Sequence, residues 1–339
     1  MSRNASTWIK IAIPVIIGLA VAILLFRNDF NADTLRNVEI DTRACIGILL
    51  AVVSVALRET GMAWRFKALS GDRLSWGKSI RVTLLCEFTS CITPTSVGGS
   101  AASAIFMTRN GLKAGRSTAV MLTTLFLDEL FITIIVPLIF LLIPYRELFG
   151  FDNASLAHDF QVGFWAVYGI LAAWCILLWT GLFIAPRSIK TLLVKIFSLP
   201  VLRRWLKSVE TAGDDIVATA HELRHCNIST WAKAFGATAL SWTARFLTVN
   251  ALLWGFVCGS DQLLAFGRQI VVWVLLMFTP TPGGSGLSEW IFTKYYGDMV
   301  SATAIIMVLA LLWRLLTYYL YLIAGIILLP SLSKRRKQS

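Results

Sequence analysis

The sequence predicts an all-α polytopic membrane protein, with six transmembrane helices and two re-entrant helical hairpins in an inverted-topology repeat. Three observations predict it: apolar runs near twenty residues long recur along the chain, two Thr/Pro/Gly motifs interrupt two further apolar stretches, and basic residues crowd into alternate loops. The 339 residues are 57% hydrophobic and 15% charged. No stretch is left over for a separate soluble domain, so 1–339 reads as a single integral membrane domain.

The elements follow in order. The first apolar run, about Ile11 to Phe26, comes after Arg3 and Lys10 and reads as a retained signal anchor, since no clear small-x-small cleavage site follows it before Arg27. Further spans run at about Ala44 to Trp64, Ala119 to Ile143, Val162 to Ile184, Ala232 to Cys258 and Ala302 to Leu329. Two more stretches, about Ser79 to Met107 and Ala265 to Phe292, are broken at their centres. In the first, the break reads Thr93 Pro94 Thr95 Ser96 Val97 Gly98 Gly99 Ser100; in the second, Thr279 Pro280 Thr281 Pro282 Gly283 Gly284 Ser285, followed by Gly286. Arms of about 15 residues on the near side of each break rise ~22 Å as helix, enough to pass the middle of a ~30 Å hydrocarbon core.

Basic residues set the orientation. Counting those outside the spans, 22 fall on one side and 6 on the other, which places both termini in the cytoplasm. The first broken stretch is flanked by Lys78 and Arg81 and by Arg109, Lys113 and Arg116, so it enters and leaves by the cytoplasmic face. The second lies among Asp261, Arg268, Lys294 and Asp298 and enters from outside. Repeat one covers about 44–143 and repeat two about 232–329. Between them the basic segment of about 186–230, with Trp205 among Arg203, Arg204 and Lys207, is amphipathic and suits an anionic cytoplasmic leaflet, a solvated connector being the alternative. The repeat extends to single residues: Ser54 and Arg58 match Ser241 and Arg245, 187 positions on.

Non-helical backbone at membrane depth survives only where protein or a wet cavity satisfies it. Helices restarting after Gly99 and Gly286 aim N–H groups and positive dipole ends at the midplane, an arrangement that favours phosphate or carboxylate. Thr93, Thr95, Ser100, Thr279, Thr281 and Ser285 add hydroxyls, while Gly98, Gly99, Gly283, Gly284 and Gly286 allow close backbone approach. Packing kinks are the alternative reading. The charges inside apolar segments are the second signal, because each costs at least ~2.5 kcal/mol when central and unpaired. Arg58 and Arg245 fall in opposite thirds of the membrane and suit a phosphodiester on entry and exit; Glu289 follows the second motif. Glu87, Asp128, Glu129 and Arg314 are expected in intramembrane charge pairing or proton handling, with Arg314 opposite Asp128 or Glu129.

Nothing points to a cofactor, and no enzyme is expected. The sequence Gly284 Ser285 Gly286 is not a nucleophile elbow, the scattered cysteines form neither a disulfide framework nor a zinc set, and His221, His225 and Cys226 have no fourth ligand nearby. The basic surplus is placed for a membrane surface and not for nucleic acid.

The motif Pro282 Gly283 Gly284 Ser285 Gly286 with Glu289 three residues on, together with Val97 Gly98 Gly99 and the acidic span at Asp128 and Glu129, resembles the lysylphosphatidylglycerol synthase transmembrane-region family of flippase-like membrane proteins, over about Ile11 to Leu329. In larger members this unit flips an aminoacylated phospholipid made by an attached soluble synthase domain. A chain ending at Ser339 is expected to be a stand-alone member without lysyltransferase activity. The resemblance implies a flippase of the bacterial inner membrane that moves a polar phospholipid, glycolipid or isoprenoid lipid by alternating access. A secondary transporter of a small soluble anion and a membrane-embedded lipid-modifying enzyme are the alternatives.

Overall fold

The computed structural model describes residues 40–93, 97–150, 154–198, 206–224, 227–277, 284, 286–300 and 302–334, and every regular element among them is helical. The expected first span, 11–26, lies outside the described residues. Helix α1, Thr42–Leu69, starts where Asp41 accepts a hydrogen bond from the Ala44 amide at 2.7 Å. It runs past the expected end at Trp64, because Arg65 and Lys67 end the apolar run but not the hydrogen-bonded ladder.

Helices α2 (Trp76–Ile92) and α3 (Val97–Arg109) fold back on one another. Near the turn Gly99 lies against Ser90, and an alanine there would place its Cβ 2.5 Å from the Cys86 carbonyl oxygen. At the open end Lys78 Nζ donates to Asn110 O at 3.1 Å. Helix α4, Ala114–Leu142, contains Pro137. A proline there removes the amide that would bond Thr133 O one turn earlier, and the Tyr168 hydroxyl of α5 (Ala154–Trp179) donates to that carbonyl instead, at 3.0 Å. A π-helical turn, Thr180–Ile184, ends α5. Helices α6 (Pro186–Phe197) and α7 (Leu206–Arg224) pack on each other, and α7 also packs on α4.

Helix α8, Ile228–Phe256, crosses α1 antiparallel through small residues. An alanine at Gly47 would bring its Cβ within 2.6 Å of Gly255 Cα, and one at Gly61 within 2.8 Å of Ala237 O and 3.0 Å of Ser241 N. Such close approach is how helices associate where apolar surroundings give no hydrophobic drive. Helices α9 (Gln262–Leu276) and α10 (Leu287–Tyr295) form a second hairpin. Its open end is closed by the Tyr296 hydroxyl, which meets Ala265 O at 3.1 Å and Gln269 Oε1 at 3.0 Å. The chain then runs through α11 (Thr303–Arg314), a π-helical turn (Leu315–Tyr319) and α12 (Leu320–Lys334), which packs Gly325 on Phe88 of the first hairpin.

Among the described residues, four segments, Thr42–Leu69, Ala114–Leu142, Ala157–Ile184 and Ala304–Leu328, are long and apolar enough to cross a membrane. Their outward faces carry large exposed apolar side chains such as Leu49, Leu141, Ile176 and Ile327, as expected of surfaces that meet lipid.

Candidate functional site

The buried stripe of α1 reads Ala44, Gly47, Ala51, Val55, Arg58, Gly61 and Arg65, at helical three- and four-residue spacing. The face that lets α8 approach closely therefore also carries two arginines inward. They reach a cavity of about 180 Å³ between the first hairpin, α1, α4, α5, α8 and the end of α9. That exceeds the ~150 Å³ of an engineered cavity that accepts benzene, so a group of several heavy atoms fits.

The lining is mixed. Arg58, Arg65, Glu87, Ser90, Ser100, Asp128, Glu129, Ser241 and Arg245 supply polar groups. Leu125, Trp174, Trp273 and Met277 add apolar lining, and Trp174 is also exposed on the outer flank of α5.

The three lining arginines differ in their partners. Arg58 Nη2 meets Glu87 Oε2 at 2.6 Å and its Nη1 meets Glu59 Oε1 at 3.1 Å. The Tyr321 hydroxyl accepts from Arg58 and bonds Glu59 Oε1 at 2.8 Å. Arg65 grips Asp128 through both guanidinium nitrogens, one of them 3.1 Å from Oδ2, and donates to Thr238 Oγ1 at 3.2 Å. Trp242 Nε1 donates to the same aspartate at 2.6 Å. Arg245 has no ion pair or hydrogen bond among the described residues; its guanidinium lies 5.3 Å from the centre of the Trp242 ring. Glu129 is 3% exposed, and its Oε2 has no hydrogen-bond partner among the described residues.

Of the residues expected from sequence, Arg58, Glu87, Gly99, Ser100, Asp128, Glu129 and Arg245 come together at this cavity. Thr95, Thr279, Thr281, Gly283 and Ser285 lie outside the described residues, and Gly98 is placed only as part of α3. Thr93 ends α2, where its hydroxyl donates to Thr89 O at 2.8 Å.

Three expectations are corrected. Arg58 and Arg245 do not occupy opposite thirds of the membrane. The register in which Gly47 meets Gly255 and Gly61 meets Ser241 puts Arg58 opposite Ala244, next to Arg245, and Ser241 Oγ donates to Arg58 O at 3.0 Å. Arg314 pairs with Glu289 and not with Asp128 or Glu129: its Nε lies 2.7 Å from Glu289 Oε1, because α11 packs on α10 while α1 delivers Arg65 to Asp128. Nor is the start of α10 free for a ligand anion. Glu289 Oε2 accepts the Gly286 amide at 2.7 Å and the Ser288 hydroxyl at 2.9 Å, so the helix carries its own carboxylate there. Gly284 and Gly286 have φ of +69° and +90°, conformations that only glycine adopts without strain.

Sequence reasoning missed Arg65, counted as a loop charge beyond the span, and the aromatic wall of Trp174, Trp242 and Trp273. The seven-residue spacing of Arg58 and Arg65, two turns along one face, was the available signal for the first.

The family model for the lysylphosphatidylglycerol synthase TM region matches residues 9–325. The chain is also 23% identical over 330 residues to a UPF0104 membrane protein of Archaeoglobus fulgidus, covering 93% of this chain and 94% of that one. A match across nearly the whole length, including every helix that lines the cavity, leaves one conclusion: the chain is a membrane protein belonging to the lysylphosphatidylglycerol synthase TM-region family.

Proposed function

We propose that this protein is a lipid translocase, in which Arg245 binds the anionic group of a polar headgroup inside the cavity while the apolar part of the lipid leaves past Trp174 towards the bilayer. The observation that carries this reading is Arg245 itself. A guanidinium lining a cavity without a carboxylate partner among the described residues keeps a planar fork of donors for a phosphate or carboxylate brought by a ligand. The headgroup anion would supply the counter-charge that solvating water cannot. A small soluble anion has no use for Leu125, Trp174, Trp273 and Met277 in the lining, whereas an amphiphile matches both the charged and the apolar residues.

The two hairpins fit six spans, with one hairpin inserted from each face and both termini cytoplasmic. In such an inverted repeat the axis relating the halves passes between Arg58 and Arg245, where α1 and α8 cross, so that one site serves both faces by equivalent motions.

Purified protein in proteoliposomes tests this with acyl-labelled fluorescent phosphatidylglycerol and a membrane-impermeant quencher. Wild type is expected to speed exchange between leaflets, Arg245→Gln to slow it at least tenfold, and Arg245→Lys to fall between, keeping the charge but losing the fork. Equal exchange with wild type and Arg245→Gln, both folded, would overturn the reading. Uptake of inorganic phosphate without any lipid exchange would favour a soluble-anion transporter.

A further inference from the structure

The repeat relates residues of the two halves one by one. Arg58 and Arg245 are 187 positions apart and Thr93 and Thr279 are 186 apart. On that spacing Glu87, six residues before Thr93, corresponds to Trp273, six before Thr279. Glu59, which follows Arg58, corresponds to Phe246, which follows Arg245. Both acids that hold Arg58 thus correspond to aromatic residues in the second half.

Geometry agrees with the correspondence, since Arg58, Glu87, Arg245 and Trp273 line the same cavity. Glu87 holds Arg58 at 2.6 Å, with Glu59 behind it at 3.1 Å. Around Arg245 the matching space is aromatic: the guanidinium sits over Trp242, whose ring is 4.5 Å from that of Trp273 at 76°.

We infer that Glu87 is a built-in counter-anion, occupying in one half the place that the headgroup anion takes in the other, and that it limits the cavity to headgroups carrying a single negative charge. The inference rests on Arg245 being the anion-binding residue. Of the three lining arginines, Arg58 and Arg65 are held in ion pairs, whereas Arg245 has none within 4.0 Å among the described residues and is the one left for a ligand. A second negative charge on the headgroup would find no cation. It would meet the carboxylates of Glu87 and Asp128 in surroundings that screen poorly. Lipids with one phosphodiester or one carboxylate fit; phosphomonoesters, at about −1.5 to −2, and diphosphates do not.

The experiment compares acyl-labelled phosphatidylglycerol, with one phosphodiester, and acyl-labelled phosphatidic acid, a phosphomonoester, in the same proteoliposomes. Wild type is expected to move the first at least tenfold faster. Glu87→Gln leaves Arg58 with Glu59 alone and is expected to raise the relative rate of phosphatidic acid at least tenfold. Glu87→Asp, which keeps the charge, retains the wild-type ratio. Glu87→Gln takes away the negative charge that Arg58 and Glu59 leave in excess, and the double variant Arg58→Gln/Glu87→Gln, in which Glu59 has lost its cation, restores that excess and returns the ratio towards wild type. Comparable wild-type rates for the two lipids overturn the inference without any variant. So does a ratio that Glu87→Gln leaves within twofold of wild type, or one that stays raised in the double variant. In each of those cases a lipid exchange that still depends on Arg245 leaves the translocase reading standing. Wild type that moves neither lipid ends both.

Discussion

At the residue scale, Arg65 and Tyr168 each satisfy a partly buried group, the Asp128 carboxylate and the Thr133 carbonyl. Arg65, 2% exposed, neutralises Asp128, which then has only the Trp242 indole if the arginine is removed. Breaking a buried pair from one side costs roughly 3–5 kcal/mol. Arg65→Ala is therefore expected to lower the yield of monodisperse protein sharply, and Asp128→Asn in the same protein to restore part of it; yields equal to wild type would show that the pair does not hold α1 to α4. Tyr168 answers a different need, the Thr133 carbonyl released by Pro137. Tyr168→Phe should destabilise by about 1–3 kcal/mol in thermal unfolding in detergent. Because Pro137→Ala returns an amide to Thr133, the same Tyr168→Phe change should cost less in that background. Identical costs in the two backgrounds would separate the hydroxyl from the proline.

At the element scale, what fixes the helices is close backbone approach in one place and a clamp in another. The α1–α8 crossing has no room for a methyl at Gly47, 2.6 Å from Gly255 Cα, whereas a methyl at Gly77 in α2 meets nothing within 4 Å. Gly47→Ala is expected to destabilise by about 1–3 kcal/mol through overpacking, and Gly77→Ala to be neutral or mildly stabilising, since alanine favours helix. Similar melting temperatures for the two variants would count against the small-residue seam. The open end of the second hairpin is held by Arg268, 1% exposed, which reaches Glu147 O at 3.0 and 3.1 Å, Tyr295 O at 2.8 Å and both Asp298 oxygens at 2.5 and 2.8 Å. One side chain thereby ties α9 to the segment after α10 and to the turn after α4. Arg268→Ala should speed hydrogen exchange at Tyr295 to Val300 well before it changes exchange in α1. Uniform acceleration over the whole molecule would instead make Arg268 part of the global core.

At the scale of the whole molecule, the proposed opposite insertion of the hairpins has a direct readout. In protein from which all 6 native cysteines have been removed, a single cysteine at Lys113 is expected to label only from the cytoplasmic side and one at Lys294 only from the outer side. Labelling of both from the same face would rule out the inverted repeat. The π-helical turn at Leu315–Tyr319 matters at this scale too, for it stands between two anchors. Arg314 before it holds Glu289 of the second hairpin, and Tyr321 after it reaches Arg58, which in turn holds Glu87 of the first. The added residue of a π turn shifts the face that follows, so one continuous segment addresses both hairpins.

The sequence by itself determined the class of molecule, the two helix breaks and the family, because apolar run length, Pro/Gly punctuation and a repeated motif are local properties that survive without coordinates. It also singled out Arg58, Arg245, Glu87, Asp128 and Glu129, since charge in an apolar segment is conspicuous in one dimension. Which charge meets which was decided only by the tertiary structure. The register of α1 on α8 brought Arg58 and Arg245 to one cavity, the packing of α1 on α4 gave Asp128 to Arg65, and that of α11 on α10 gave Glu289 to Arg314. Depth counted along separate spans misplaced Arg58 against Arg245 and gives no direction in which a side chain faces, and a buried ion pair depends on both height and direction. Arg245 stands out only once every other arginine of the cavity has been assigned its carboxylate, which is a property of packing and not of composition.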